Sequence, residues 1–162
     1  MNIQELFTIQ QKLNDRIMSE HQLVEHNLFQ EQLLAFLVEV SELANETRCF
    51  KYWSRKGASE KAIILEEYVD GVHFLLTIGL ALKFTDVEID SFEQMERSLT
   101  VQFLDVMALT HRLQETRELD TYKQLFLTYF SLGEALGFSP EEVEEAYLAK
   151  NKVNHKRQDE GY

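Results

Sequence analysis

Two acidic pairs of the form E-x-x-[ED], Glu39 with Glu42 and Glu67 with Asp70, lie inside two strongly apolar stretches and constrain this chain more than any other feature. Residues three apart sit on nearly the same helix face, so each pair projects as a two-pronged acidic fork. Over residues 62–76 a step of about 100° per residue puts apolar side chains on nearly every side of the cylinder, the mark of a core helix. Glu67 points there between the directions of Phe74 and Ile78. An unpaired carboxylate pressed against hydrocarbon is costly, and a divalent cation removes the cost. The earlier stretch reads the same way: Glu39, Glu42 and Glu46 form a stripe about 60° wide, bordered by Val38, Leu43 and Phe36, narrower than a solvated face.

Oxygen ligands at this spacing suit hard cations, and Mg²⁺ in particular combines a few carboxylates with open positions for water and phosphate oxygens. Neither a histidine pair nor a cysteine cluster accompanies the forks, which argues against zinc, although His73 follows Asp70 by one turn. The competing reading is that the acids form ion pairs with Arg48, Lys51, Arg55 or Lys56. For a single fork that reading leads; two forks on consecutive core helices favour the metal.

With 162 residues, 44% of them hydrophobic, the chain is long enough for a real core and short enough for one domain spanning 1–162. One proline and six glycines leave little turn chemistry for a β-rich fold. The expectation is an all-α, single-domain bundle of about six helices. A net charge of −12 argues against a nucleic-acid partner, because gripping a phosphate backbone needs clustered Lys and Arg. A small anionic nucleotide is compatible where metal ions offset the local field. The lone Cys49 fits a reducing, cytoplasmic location. No stretch is long enough to span a bilayer, and the start of the chain lacks the basic and apolar regions of an export signal.

Periodicity predicts a first helix over about residues 3–19 and a second over about 28–47. An aperiodic loop, Phe50-Lys51-Tyr52-Trp53-Ser54-Arg55-Lys56-Gly57, follows. Ser59 is placed to cap a third helix reaching about Lys83. Ser91 with Gln94 suggests a capping box for a fourth helix ending near Thr116, and a fifth fills about 119–136 before Gly137. Ser139-Pro140-Glu141-Glu142 starts a sixth. Met95, Leu99, Phe103, Met107, Leu125, Phe126 and Phe130 recur at helical spacing as core, or as core shared with a second subunit.

The forks, joined by a basic loop, resemble the metal-binding pattern of the all-α nucleoside triphosphate pyrophosphohydrolases, the superfamily of MazG-like enzymes and dimeric dUTPases. Three further segments resemble the dimeric dUTPase branch: Gln10-Gln11-Lys12-Leu13-Asn14, Phe50-Lys51-Tyr52-Trp53, and Lys150-Asn151-x-x-Asn154-x-x-Arg157-Gln158-x-x-Gly161-Tyr162. The resemblance spans nearly the whole chain. It implies a Mg²⁺-dependent, homodimeric dUTP diphosphatase that hydrolyses dUTP, and dUDP, to dUMP by water attack at the α-phosphorus. Glu39, Glu42, Glu67 and Asp70 would hold metal, with Glu39 as general base and Glu42 bridging two ions.

Substrate contacts are expected from several places. Lys150, Asn151, Asn154, Arg157 and Gln158 step by three and four, sharing one side of a helix and offering donors to anionic oxygens. Gln10 and Asn14, one turn apart, can read a base edge, and the resemblance places uracil there. Trp53 offers a stacking surface, Lys51 or Arg55 a phosphate contact, and His73 a contact to the sugar. Two other readings compete: a broader MazG-like enzyme for other or non-standard nucleotides, which would not need Gln10 and Asn14, and a non-enzymatic helical dimerisation or regulatory module.

Overall fold

The computed structural model describes residues 1–87 and 97–162. Six helices follow one another: α1 (Ile3–Glu20), α2 (Phe29–Thr47), α3 (Lys61–Leu82), α4 (Leu99–Thr116), α5 (Leu119–Ala135) and α6 (Pro140–Asp159). Among the described residues there is no strand, and no helix is long and apolar enough to cross a membrane. The all-α expectation holds.

The run that is apolar on every side becomes α3, and the other helices close around it. Tyr68, Val72, Leu75, Leu76 and Ile78 are fully buried on it, facing different neighbours. α2, α6 and α1 pack on α3, α5 touches it, and α4 pairs with α5 and α2. Where α3 meets α5 the contact is unusually close. Tyr68 and Tyr129 stack with ring centroids 4.9 Å apart, Tyr129 donates to the Tyr68 carbonyl at 2.8 Å, and Tyr68 donates back to the Tyr129 carbonyl at 3.3 Å. About two turns further along, Tyr122 donates to the Leu75 carbonyl at 2.9 Å. Gly71, Gly79 and Gly133 open the space these rings occupy.

Helix ends follow local chemistry, with one departure from expectation. Ser139 and Glu142 form the anticipated capping box at the start of α6. α5 ends in a Schellman turn at Gly137 (φ 84°), with Phe138 N–H on the Gly133 carbonyl and Gly137 N–H on the Glu134 carbonyl. Ser59 does not cap α3. Its hydroxyl donates to the Glu46 carboxylate and its N–H to the Glu46 carbonyl, so α3 begins after Glu60 without a side-chain cap. The start expected at Ser91 and Gln94, and Met95 as core, lie outside the described residues; α4 begins at Leu99, capped by Ser98. Phe103, Leu125, Phe126 and Phe130 are core, while Leu99 and Met107 are half-buried against it.

Candidate active site

α2 and α3 run antiparallel: Ser59, just before α3, bonds Glu46 near the end of α2, and Glu39 further back faces Asp70 further on. That register brings the forks together. Carboxylate oxygens of Glu39, Glu67 and Asp70 all lie within 4.8 Å of one another. Burial, followed by the charges of Asp70, Glu42 and Glu67, pushes the Glu39 carboxyl up to about 7. Glu67 and Asp70 are raised as well, again chiefly by burial. Glu42 stays outside this convergence. One turn beyond Glu39 it reaches toward solvent, where it is exposed, although its charge still raises both Glu39 and Glu67.

None of the cations of the 48–60 loop neutralises these acids. Lys150 of α6 does so in part, its Nζ lying 2.7 Å from Asp70 and 3.0 Å from Glu66. Burial alone would lower the Lys150 pKa, but these two carboxylates reverse the effect and raise it. Glu39 and Glu67 form no ion pair among the described residues. Three half-buried, all-oxygen donors with raised pKa values and an incomplete countercharge fit a hard divalent cation. His73 is not part of the group, which leaves the donor set free of nitrogen.

The acidic centre opens into a cleft of about 960 Å³ between α1, α2, α3 and α6, roofed by the 21–28 connection. Asn14, Glu39, Asp70 and His73 line it, as does Gln10. From α6 come Lys150, Asn154, Arg157 and Gln158, so four of the five residues of the C-terminal run face this cavity. Gln158 is held by His21 at 3.0 Å, and the Arg157 guanidinium lies 5.3 Å from the Tyr162 ring. Asn151, the fifth, is buried in the protein with its Nδ2 unpartnered.

Gln10 behaves differently from the expectation that it reads a base. Only 3% exposed, it donates from Nε2 to Asn14 at 2.9 Å and to Thr77 at 3.1 Å, while its Oε1 accepts from Tyr147 at 2.8 Å and lies 2.7 Å from His73 Nδ1. That saturates the amide, two donors and two lone pairs, inside the protein. The free edge passes to its neighbours: Asn14, whose Oδ1 is occupied, and His73, whose buried Nε2 has no partner. Burial and the nearby Lys150 charge lower the His73 pKa to about 3, against a small opposite effect of the Tyr147 backbone, so the ring is neutral.

Lys51, Trp53 and Arg55 do not line the cleft. They ride on the 48–60 loop, which Arg48 pins through Ser54 Oγ at 2.7 Å and the Lys56 carbonyl at 3.1 Å. Trp53 is 65% exposed and meets Tyr52 and Phe50 edge to face. Sequence reasoning missed Thr77, Tyr147 and Gln32. Gln32 lines the cleft with a buried Oε1 that has no partner among the described residues. Its signal was weak: it sits in a polar first turn, Gln30-Glu31-Gln32, where nothing sets it apart from its exposed neighbours.

Fold and cleft first define a class: an all-α protein whose large cleft carries an acidic centre on its wall. Over residues 2–162 the chain matches the family model described as dUTPase, and it belongs to the all-α dimeric dUTPase family. It is therefore a dUTP diphosphatase. No curated protein matches the chain.

Proposed function

We propose that this dUTP diphosphatase is Mg²⁺-dependent, that it also accepts dUDP, and that it acts by water attack at the α-phosphorus. The observation that carries the reading is the convergence of Glu39, Glu67 and Asp70, two of which, Glu39 and Asp70, line the same cleft as Asn14 and His73. Glu39, Glu67 and Asp70 would hold the cation, with Glu42 close enough in charge to join them. Bound there, Mg²⁺ would screen the phosphate chain and polarise its oxygens. Glu39, whose carboxylate meets those of Glu67 and Asp70, is the acid assigned to take the proton of the attacking water. The new bond joins the water oxygen to the α-phosphorus, the bridging oxygen leaves with pyrophosphate, and the proton passes to Glu39. Lys150, Asn154, Arg157 and Gln158 supply donors along the phosphate and sugar wall, and Asn151 adds a buried donor beside them. Asn14 and His73 face the nucleoside. Gln10 serves them from behind.

Lys51, Trp53 and Arg55 reach substrate in this reading only through movement of the 48–60 loop or from a second subunit. A homodimer is supported by apolar side chains left exposed on adjoining helices, Leu34 and Val38 of α2 with Leu104 of α4. The half-buried free thiol of Cys49 supports a reducing, cytoplasmic setting.

The reading is tested by incubating the purified protein with dUTP, dUDP, dTTP, dCTP and UTP, with Mg²⁺ or with chelator, and resolving the products. Release of dUMP from dUTP should require Mg²⁺, and should exceed turnover of UTP and dCTP. Undiminished turnover in chelator, or equal rates on all five nucleotides, would overturn it.

A further inference from the structure

Beside the acids, the cleft wall carries a chain of polar groups whose direction is set from one end. The Thr77 hydroxyl faces two acceptors, the His73 backbone carbonyl at 2.9 Å and Asn14 Oδ1 at 3.2 Å, and its one hydrogen goes to the nearer, a carbonyl that cannot reverse. The Thr77 oxygen is thereby left to accept from Gln10 Nε2 at 3.1 Å, and the other Gln10 hydrogen goes to Asn14 Oδ1 at 2.9 Å. With its nitrogen committed on that side, the Gln10 amide turns Oε1 toward Tyr147, which donates at 2.8 Å, and toward His73 Nδ1 at 2.7 Å. An amide oxygen only accepts, so Nδ1 carries the hydrogen and Nε2 of the neutral ring keeps its lone pair. Tyr147 also stacks on the imidazole, centroids 4.2 Å apart, which keeps the ring from turning over. Among the described residues Nε2 is buried without a partner, and His73 lines the cleft. A buried acceptor without a partner is costly unless a ligand supplies one.

We propose that Thr77 and Tyr147 are positioning residues for substrate selection: acting through Gln10, they hold His73 in the Nδ1–H tautomer so that Nε2 accepts a hydrogen from the bound nucleoside. The donor is a neutral N–H or O–H, available on deoxyuridine as the ring N3–H or the 3′-hydroxyl. Cytosine has a lone pair at N3, which would face the Nε2 lone pair. The inference rests on the deoxyuridine nucleotide being the substrate, but the tautomer itself does not.

The test therefore has two readouts, on native protein and on Thr77→Val, Tyr147→Phe and the double variant. Val keeps the shape of Thr, and Phe keeps the ring stacked on His73. In the first, ¹⁵N NMR of the substrate-free protein reports which His73 nitrogen bears the hydrogen. Native protein should show Nδ1–H, and the variants should shift toward Nε2–H, most in the double variant. In the second, kcat/KM is measured on dUTP, N3-methyl-dUTP and 3′-deoxy-dUTP. Thr77→Val should lose roughly tenfold or more on dUTP, as expected when a site built to pair with a substrate hydrogen is mismatched. The loss should vanish on N3-methyl-dUTP where the donor is the base, or on 3′-deoxy-dUTP where it is the sugar. Nε2–H in native protein, or equal losses on all three nucleotides, overturns the inference. Native Nδ1–H in a protein without dUTP turnover would instead refute the substrate while leaving the polar chain as described.

Discussion

Glu39→Gln should lower dUTP turnover roughly a thousandfold, within the range for removal of a positioned general base, and should leave the helical fold intact. The same substitution should change how stability depends on pH. In the folded protein the Glu39 carboxyl is pushed up to about 7, against an ordinary value of 4.5. Below 4.5 both folded and unfolded forms are protonated and no penalty exists. As pH rises from 4.5 to about 7 the unfolded chain releases its proton first, so stability falls, and above that the penalty is complete. Glu67 and Asp70 act in the same direction. Melting curves in chelator should show native protein losing more stability between about pH 4 and pH 8 than Glu39→Gln, with the two nearly equal at the acid end. At pH 8 the Gln variant should melt higher, because a neutral side chain replaces one of three crowded charges. Mg²⁺ should stabilise native protein more than the variant. Parallel pH profiles for the two proteins would show that Glu39 does not carry the raised pKa.

Much of this arrangement could be read from residue spacing alone. The forks were visible because two i, i+3 acid pairs on consecutive apolar runs are hard to explain by ion pairing alone, and α2 and α3 form where the 3.6-residue period said they would. α6 was legible from one tetrapeptide, Ser139 to Glu142, whose capping chemistry is wholly local. What spacing could not convey was choice between partners. Ser59 is as good a cap as Ser139, yet it bonds Glu46, because α2 and α3 are antiparallel and bring that carboxylate within reach. Glu42 and Glu39 are equivalent in sequence, and only the register of α2 on α3 decides which faces Asp70. Gln10 shows the same limit from the other side. Its position in the site was legible, but its amide is consumed by Thr77, 67 residues away, and by Tyr147, 137 residues away. Polar side chains reveal their role only when every donor and acceptor around them is counted, and those neighbours come from three helices.

Gly71→Ala should be the most damaging of the glycine-to-alanine changes. By local propensity alanine is the better helix former by about 1 kcal/mol, so sequence rules predict a gain. The structure predicts the reverse, since a Cβ at this position would collide with the Tyr129 hydroxyl. Tyr129 is fully buried and its hydroxyl is engaged with the Tyr68 carbonyl, so it has no open space to enter. Overpacking together with a displaced buried hydroxyl should outweigh the propensity gain by about 2–4 kcal/mol, or a fall in melting temperature of roughly 6–12 °C for a chain of this size. Gly57→Ala, with nothing within 4 Å of the added carbon, is the control and should change little. Tyr129→Phe in the Gly71→Ala background removes the colliding oxygen and should recover part of the loss. A Gly71→Ala protein as stable as native would show that α3 and α5 do not need their close approach. Because Gly71 follows Asp70 and Tyr68 follows Glu67, the tyrosine pair also sets the rotation of α3 that aims both acids at α2. Gly71→Ala should therefore lower dUTP turnover even at temperatures where it is fully folded.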